Sequence, residues 1–233
     1  MGARHTYQLH PATAVLLLTL AHARGAPQNI PSGFGAIQGR VVNELGKPLP
    51  GAKVYVDPID AKYAPVGKLR FVTTNDEGGF VVGDVAPGGN LVCASKEEAF
   101  YPDTCAAALA ADLGALPRVR VEEGKLTRGI TVPLSKGGKL TGTILDSQSG
   151  RPLINSRIRL SRNDDPRLYV SAGPDEQARF EFVIPSKPFK IEISAPGYKT
   201  WNSDNHGGTI LVQPESTKEI TIRLQRAEAA IPN

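Results

Sequence analysis

GRVVNELGKPLPGAKVYV, from Gly39 to Val56, and TTNDEGGFVVGDVAPGG, from Thr73 to Gly89, together decide the fold of this chain. Apolar and polar residues alternate with a period of two on either side of Gly- and Pro-rich breaks. Ala52, Val54 and Val56 fall on one face, with Lys53 and Tyr55 opposite, the pattern of a half-buried strand. Gly46-Lys47-Pro48 and Leu49-Pro50-Gly51 supply a first turn, Asp76-Glu77-Gly78-Gly79 a second and Pro87-Gly88-Gly89 a third. Glycine admits positive φ there and proline pre-sets the turn backbone. Working outward, Ile37, Gly39 and Val41 share one strand face. The rhythm continues through Leu69, Phe71 and Thr73, then Phe80 and Val82, then Leu91 and Cys93, Val119–Val121, and Ile130, Val132 and Leu134. Residues 106–117 (AAALAADLGALP) break it and read as one or two helical turns, ended by Gly114 and Pro117.

The plan then recurs. Leu140, Gly142 and Ile144 match Ile37, Gly39 and Val41, and Gly150-Arg151-Pro152-Leu153 matches Gly46-Lys47-Pro48-Leu49. Ile158 and Leu160 stand for Val54 and Val56, Asp175 and Phe180 for Asp76 and Phe80, and Ile220, Ile222 and Leu224 for Ile130, Val132 and Leu134. Two tandem copies of one strand order are the simplest account, and a single larger sandwich is the alternative. The polar run Ser135-Lys136-Gly137-Gly138 marks the boundary between them.

The amino terminus has a different character. Arg4 and His5 precede an apolar run over residues 12–20 (ATAVLLLTL), and Ala21-His22-Ala23 is a small-x-small cleavage site. This is the layout of a secretory signal peptide, residues 1–23, cleaved near Ala23. The run is too short to span a bilayer comfortably, so no stable membrane span is expected in the mature chain. Residues 24–35 (RGAPQNIPSGFG) read as a flexible linker.

A chain of 233 residues with 24 Gly, 19 Pro and 40% hydrophobic residues has the material for many short strands around a real core. Its formal charge is +4, and loss of residues 1–23 removes Arg4 and no acid, leaving +3. The charges are interspersed, so neither nucleic acid nor anionic lipid is an expected partner. Cys93 and Cys105 are an even pair close together in an exported chain, which suggests a disulfide in a secreted or periplasmic protein.

The segments GRVVNELGKPLPGAKVYV and TTNDEGGFVVGDVAPGG resemble the carboxypeptidase regulatory-like domain, a small transthyretin-like or prealbumin-like β-sandwich of the carbohydrate-binding-like group. The likeness covers residues 36–135, carried by Gly39, Gly46, Pro48, Gly51, Ala52, Val54, Asp76, Gly78, Phe80 and Pro87-Gly88. Residues 138–225 resemble it more weakly, with Asn155 in place of Gly51, Gln177 and Ala178 near the second turn, and Ser186-Lys187 at the third. Ala195-Pro196-Gly197-Tyr198 is similar to the alanine-glycine-tyrosine segment of the family. The resemblance implies a fold and is nearly silent on function, because such domains accompany peptidases, outer-membrane receptors and adhesins.

The chemistry associated with those relatives finds few residues here. The zinc peptidases need His and Glu ligands and the transthyretin-like hydrolases several histidines, whereas the mature chain has only His206. A Ser-His-Asp arrangement would have to use that same histidine. The isopeptide bond of related adhesin repeats needs an Asn in the final strand, but the final strands read ITVPL and ITIRL. Asn75, Asp76 and Glu77 match no dedicated calcium loop, and a hairpin turn accounts for them. One stretch does gather groups suited to a sugar: Tyr198, Trp201, Asn202, Asp204, Asn205 and His206 combine aromatic faces with amide and carboxylate groups. Packing of the lone Trp201 in the core is the competing reading.

The sequence is therefore read as all-β, two tandem Greek-key, prealbumin-like sandwiches after a signal peptide. The domains are 36–135 and 138–226, with a tail over 227–233. The expected role is a non-catalytic binding or adhesion module without cofactor or metal. Its expected partner is a glycan at the Tyr198–His206 stretch or, alternatively, a cell-envelope protein.

Overall fold

A computed structural model describes residues 30–59, 71–105, 116–164 and 169–227. The signal peptide, linker residues 24–29, Leu69, residues 106–115 of the expected helical turns and the tail beyond 227 lie outside the described residues.

The chain is all-β. Its strands are β1 (Gly35–Val42), β2 (Lys53–Pro58), β3 (Val72–Thr73), β4 (Gly79–Val85), β5 (Gly88–Ser95), β6 (Arg118–Val121), β7 (Leu126–Pro133), β8 (Gly138–Asp146), β9 (Arg157–Arg162), β10 (Tyr169–Ala172), β11 (Arg179–Ile184), β12 (Phe189–Ser194), β13 (Trp201–Asn202) and β14 (Thr217–Leu224). They form four sheets in the orders β4-β1-β7, β3-β2-β5-β6, β11-β8-β14 and β10-β9-β12-β13. The last two repeat the first two strand for strand. In each three-stranded sheet the central strand pairs antiparallel on one side and parallel on the other. No helix among the described residues is long and apolar enough to cross a membrane.

Two apolar clusters fill the spaces between the facing sheets. The first holds Ile37, Val54, Phe80, Val92 and Val132, and the second Leu140, Ile158, Phe180, Ile191 and Ile222. Inward positions of facing sheets interdigitate in this way in sandwiches. The registers agree too: Gly39 lies opposite Phe80 and Ile130, while Gly142 lies opposite Phe180 and Ile220. At both glycines a Cβ would drive into the facing phenylalanine ring, so the ring occupies the space that the missing side chain leaves.

The turns repeat even where the residues differ. Gly78 has φ 70° and its carbonyl accepts the Val41 N–H at 2.8 Å. Ala178 adopts φ 57° and accepts from Ile144 at 2.9 Å, although the left-handed region is costly for a residue with a Cβ. Asp175 Oδ1 accepts the N–H groups of Gln177 and Arg179, as Asn75 Oδ1 accepts that of Gly79. Those side-chain bonds hold the turn without its glycine.

One feature departs from the sequence reading and a second adds to it. Phe71 lies outside β3, which has only two residues; it is exposed and meets the edge of the Tyr55 ring. The run Ser135–Gly138 is pinned rather than free. The Gly137 N–H donates to the Phe100 carbonyl at 2.8 Å, the Glu215 N–H donates to the Gly137 carbonyl, and Lys136 pairs with Glu215.

Candidate functional site

The stretch from Tyr198 to His206 leaves β12, forms the short β13 and winds through a 3-10 turn at residues 203–205. Most of its polar atoms are engaged within the protein. The Tyr198 hydroxyl donates to Asp146 Oδ2 at 2.6 Å, and Arg226 Nε donates to the same oxygen at 3.1 Å. Asp146 Oδ1 accepts the N–H groups of Gln148 and Ser149. Backbone bonds from Lys199 to Gln225 and from Ala227 to Gly197 close the clasp. Tyr198 thus fastens the chain beyond β14 to the end of β8, with its hydroxyl engaged by Asp146.

Asp146 is only 1% exposed, yet it is surrounded by donors. The Ser149 N–H first, then the Tyr198 hydroxyl, hold its carboxyl far below the ordinary 3.8, and the same bond pushes the Tyr198 phenol upward. Because the folded value is depressed, the unfolded chain takes up the proton first. This contribution to stability is complete above the ordinary carboxylate range and fades as pH falls below about 4. Asp146→Asn is expected to flatten that acid limb. Urea midpoints measured between neutral and acid pH check this, and a variant with the wild-type slope would contradict the assignment.

Trp201 pairs with Ile193 across β12 and packs against the second cluster. Its ring stacks on His206 with centroids 4.8 Å apart and 25° between planes. The side chain is half-buried, with the core beneath it and an imidazole on its ring. Asn202 Oδ1 accepts the Asn205 N–H at 3.1 Å, and His206 Nδ1–H donates to the Asn202 carbonyl at 2.9 Å. Asp204 pairs with Lys190 at 2.9 Å. Ser203, which sequence reading passed over, is buried and accepts the Ile191 N–H on its hydroxyl. The six sequence-derived residues therefore split: Tyr198 joins the Asp146 clasp, while the other five lie in a loop bonded within itself and, through Asp204, to Lys190 of β12.

Beside that loop runs an open groove of about 660 Å³. Trp201, His206 and Ile210 form one side, and Lys218, Ile220 and Arg223 of β14 the other. It lies at the edge of the second apolar cluster, where β13 ends one sheet and β14 ends another. On its free side β14 has no strand partner among the described residues.

The two eight-residue edges of the chain differ here. The register of β7 slips between Ile37 and Gly39, Gly129 sits at φ 79°, and Pro133 has no N–H to offer. In contrast, β14 pairs with β8 through eight residues without a slip, and contains neither Gly nor Pro. Bulges, prolines and charged side chains are the usual means of blunting an edge; β14 lacks the first two and carries the charges of Lys218, Glu219 and Arg223.

No family model matches the chain, and no curated protein matches it. Among solved structures it is similar to the Bacillus anthracis TIE protein, at 17% identity and a TM-score of 0.34, over 83% of this chain and 34% of that one. It is similar also to the shaft pilin SpaA from Lactobacillus rhamnosus GG, at 11% identity and a TM-score of 0.34, over 86% of this chain and all of that one. A third is the minor pilin of the gram-positive pathogen Streptococcus agalactiae, at 12% identity and a TM-score of 0.33, over 87% of this chain and all of that one. The chain spans about a third of the length of the Bacillus protein.

Proposed function

We propose that this is an exported, non-catalytic interaction module of the cell envelope, built from two tandem prealbumin-like sandwiches similar to carboxypeptidase regulatory-like domains, at 36–135 and 138–226. It works by protein contact along a strand edge rather than by capturing a glycan. The observation that carries the reading is the β14 edge, regular and without a strand partner among the described residues, beside the open groove. An unpaired strand offers a row of backbone donors and acceptors that another chain can complete. The Cys93–Cys105 disulfide supports an oxidising compartment, in keeping with a leader cleaved near Ala23. The glycan reading loses support from the loop itself, where His206 stacks on Trp201, Asp204 pairs with Lys190 and the Tyr198 hydroxyl belongs to Asp146.

Binding of the purified protein to isolated cell envelopes tests this. Binding is expected to survive periodate oxidation of envelope glycans, to disappear after protease treatment of the envelopes, and to be lost in Thr221→Pro. Proline is tolerated on edge strands, so the variant removes the edge N–H without dismantling the sheet. Loss on periodate treatment with survival of protease would restore the glycan reading. Wild-type binding by Thr221→Pro would remove β14 from the contact.

A further inference from the structure

The backbone and side-chain pattern of β14 specifies what would pair with it. The Lys139 and Ser147 N–H groups donate to the carbonyls of Ser216 and Leu224, so even-numbered residues turn their backbone groups toward β8. In a parallel ladder the alternate residues point the other way. Thr217, Glu219, Thr221 and Arg223 therefore aim their N–H and C=O groups at the open side.

The side chains of those same residues form the outward row of the strand, and Ile220 and Ile222 the inward row. Glu219 and Arg223 share that outward row. Four residues along a strand separate them by roughly 13 Å, beyond ion-pair reach. Neither has an ion-pair partner among the described residues.

Resting on the strand-edge reading above, we propose that β14 pairs antiparallel with β14 of a second copy of this chain, about a two-fold axis through Thr221. In that register Glu219 of each copy lies opposite Arg223 of the other, and the two Thr221 residues face one another. Both features stabilise cross-strand pairs. Ile220 of each copy meets Ile222 of the other, covering the half-buried Ile220 at the edge of the second apolar cluster. The residues brought opposite one another are those with outward backbone groups, so about six new backbone hydrogen bonds form across the axis. Registers shifted by two or four residues lose the charge match: centring on Ile220 or Ile222 leaves both charges without an opposite charge, and centring on Glu219 sets two carboxylates face to face. The contact is isologous and closes at two copies, joining two three-stranded sheets into one of six. β7 cannot substitute, because of Gly129 and Pro133.

Sedimentation of the purified protein across micromolar to millimolar concentration tests the pairing. A monomer–dimer equilibrium is expected. Glu219→Arg and Arg223→Glu should each weaken it by about tenfold or more, because each sets like charges opposite one another twice per dimer. The double variant should restore it, which a fold defect would not do. Thr221→Cys supplies a second readout. Residues opposite one another in a hydrogen-bonded pair have Cα atoms about 5.5 Å apart, within disulfide reach, so the variant should form a covalent dimer on oxidation.

A wild-type protein that stays monomeric throughout, or a dimer indifferent to both charge reversals, overturns the proposal. If the protein is monomeric yet Thr221→Pro still loses envelope binding, the edge serves a different protein and only the second copy is excluded. If Thr221→Pro also binds envelopes normally, the edge reading falls as well.

Discussion

Gly142→Ala is expected to lower the stability of the protein by about 3 kcal/mol, at the upper end of what overpacking costs. The added Cβ would sit 2.4 Å from Phe180 Cζ and 2.8 Å from the Ile220 carbonyl oxygen. The first is a ring enclosed in the second apolar cluster and the second is backbone of the neighbouring strand, so neither yields cheaply. Solvent denaturation measures the loss. Combining the change with Phe180→Leu should return part of it, because a smaller side chain relieves the clash. The arrangement recurs at Gly39, where a Cβ would lie 2.7 Å from Phe80 Cζ and 2.4 Å from the Ile130 carbonyl oxygen. A Gly142→Ala protein as stable as wild type would show that Phe180 does not occupy the space over the glycine.

Opening the Cys93–Cys105 disulfide is expected to cost a similar amount, about 3 kcal/mol for a loop of this length on the chain-entropy argument. The bridge closes a separation of 12 residues between Cα atoms 5.4 Å apart. It also holds a cover on the outer face of the β3-β2-β5-β6 sheet. Cys93 lies opposite Tyr55 on that face, and both are buried. The Tyr55 hydroxyl donates to Asp103, and the Thr104 N–H donates to the Ala94 carbonyl while its hydroxyl accepts the Ala94 N–H. Burial first, then the Asp103 carboxylate, pushes the Tyr55 phenol well above its ordinary 10.0. Thermal unfolding with and without reductant, and of the Cys93→Ala/Cys105→Ala double variant, measures the contribution. An unchanged transition would mean that Asp103 and Thr104 hold the cover without the bridge.

The buried outer face shows where sequence reading stops. Lys53 and Tyr55 fall opposite Val54 and Val56, and period-two logic assigns both to solvent. Only Lys53 goes there, because a later segment crosses the sheet over Tyr55. The strands with long alternation, β1, β4, β8 and β14, were legible, as were the turns at Gly46 and Asp76 and the pairing of the cysteines. The two-residue strands β3 and β13 and the four-residue β10 are too short to show a clear period, and β12 follows a turn, at Ser186-Lys187, that has lost its glycines. In the candidate site the sequence displays the residue types between Tyr198 and His206 but not their partners. Asp146 lies far back in the chain, and nothing near it in sequence announces that it takes the tyrosine hydroxyl. The contrast between LTRGITVP and TKEITIRL is visible in the sequence, although its meaning depends on knowing that both strands end a sheet.

Residue-by-residue amide hydrogen exchange along β14, at low and high protein concentration, is the most direct test of an edge that is free and used. In dilute protein Lys218, Ile220, Ile222 and Leu224 should be protected by β8, while Glu219, Thr221 and Arg223 exchange fast. At high concentration those three should become protected together. Protection of all three at every dilution would mean that the edge is already covered within one chain. Fast exchange at every concentration would mean that no second copy pairs there, and the account of β14 as the self-pairing surface of this protein would be wrong.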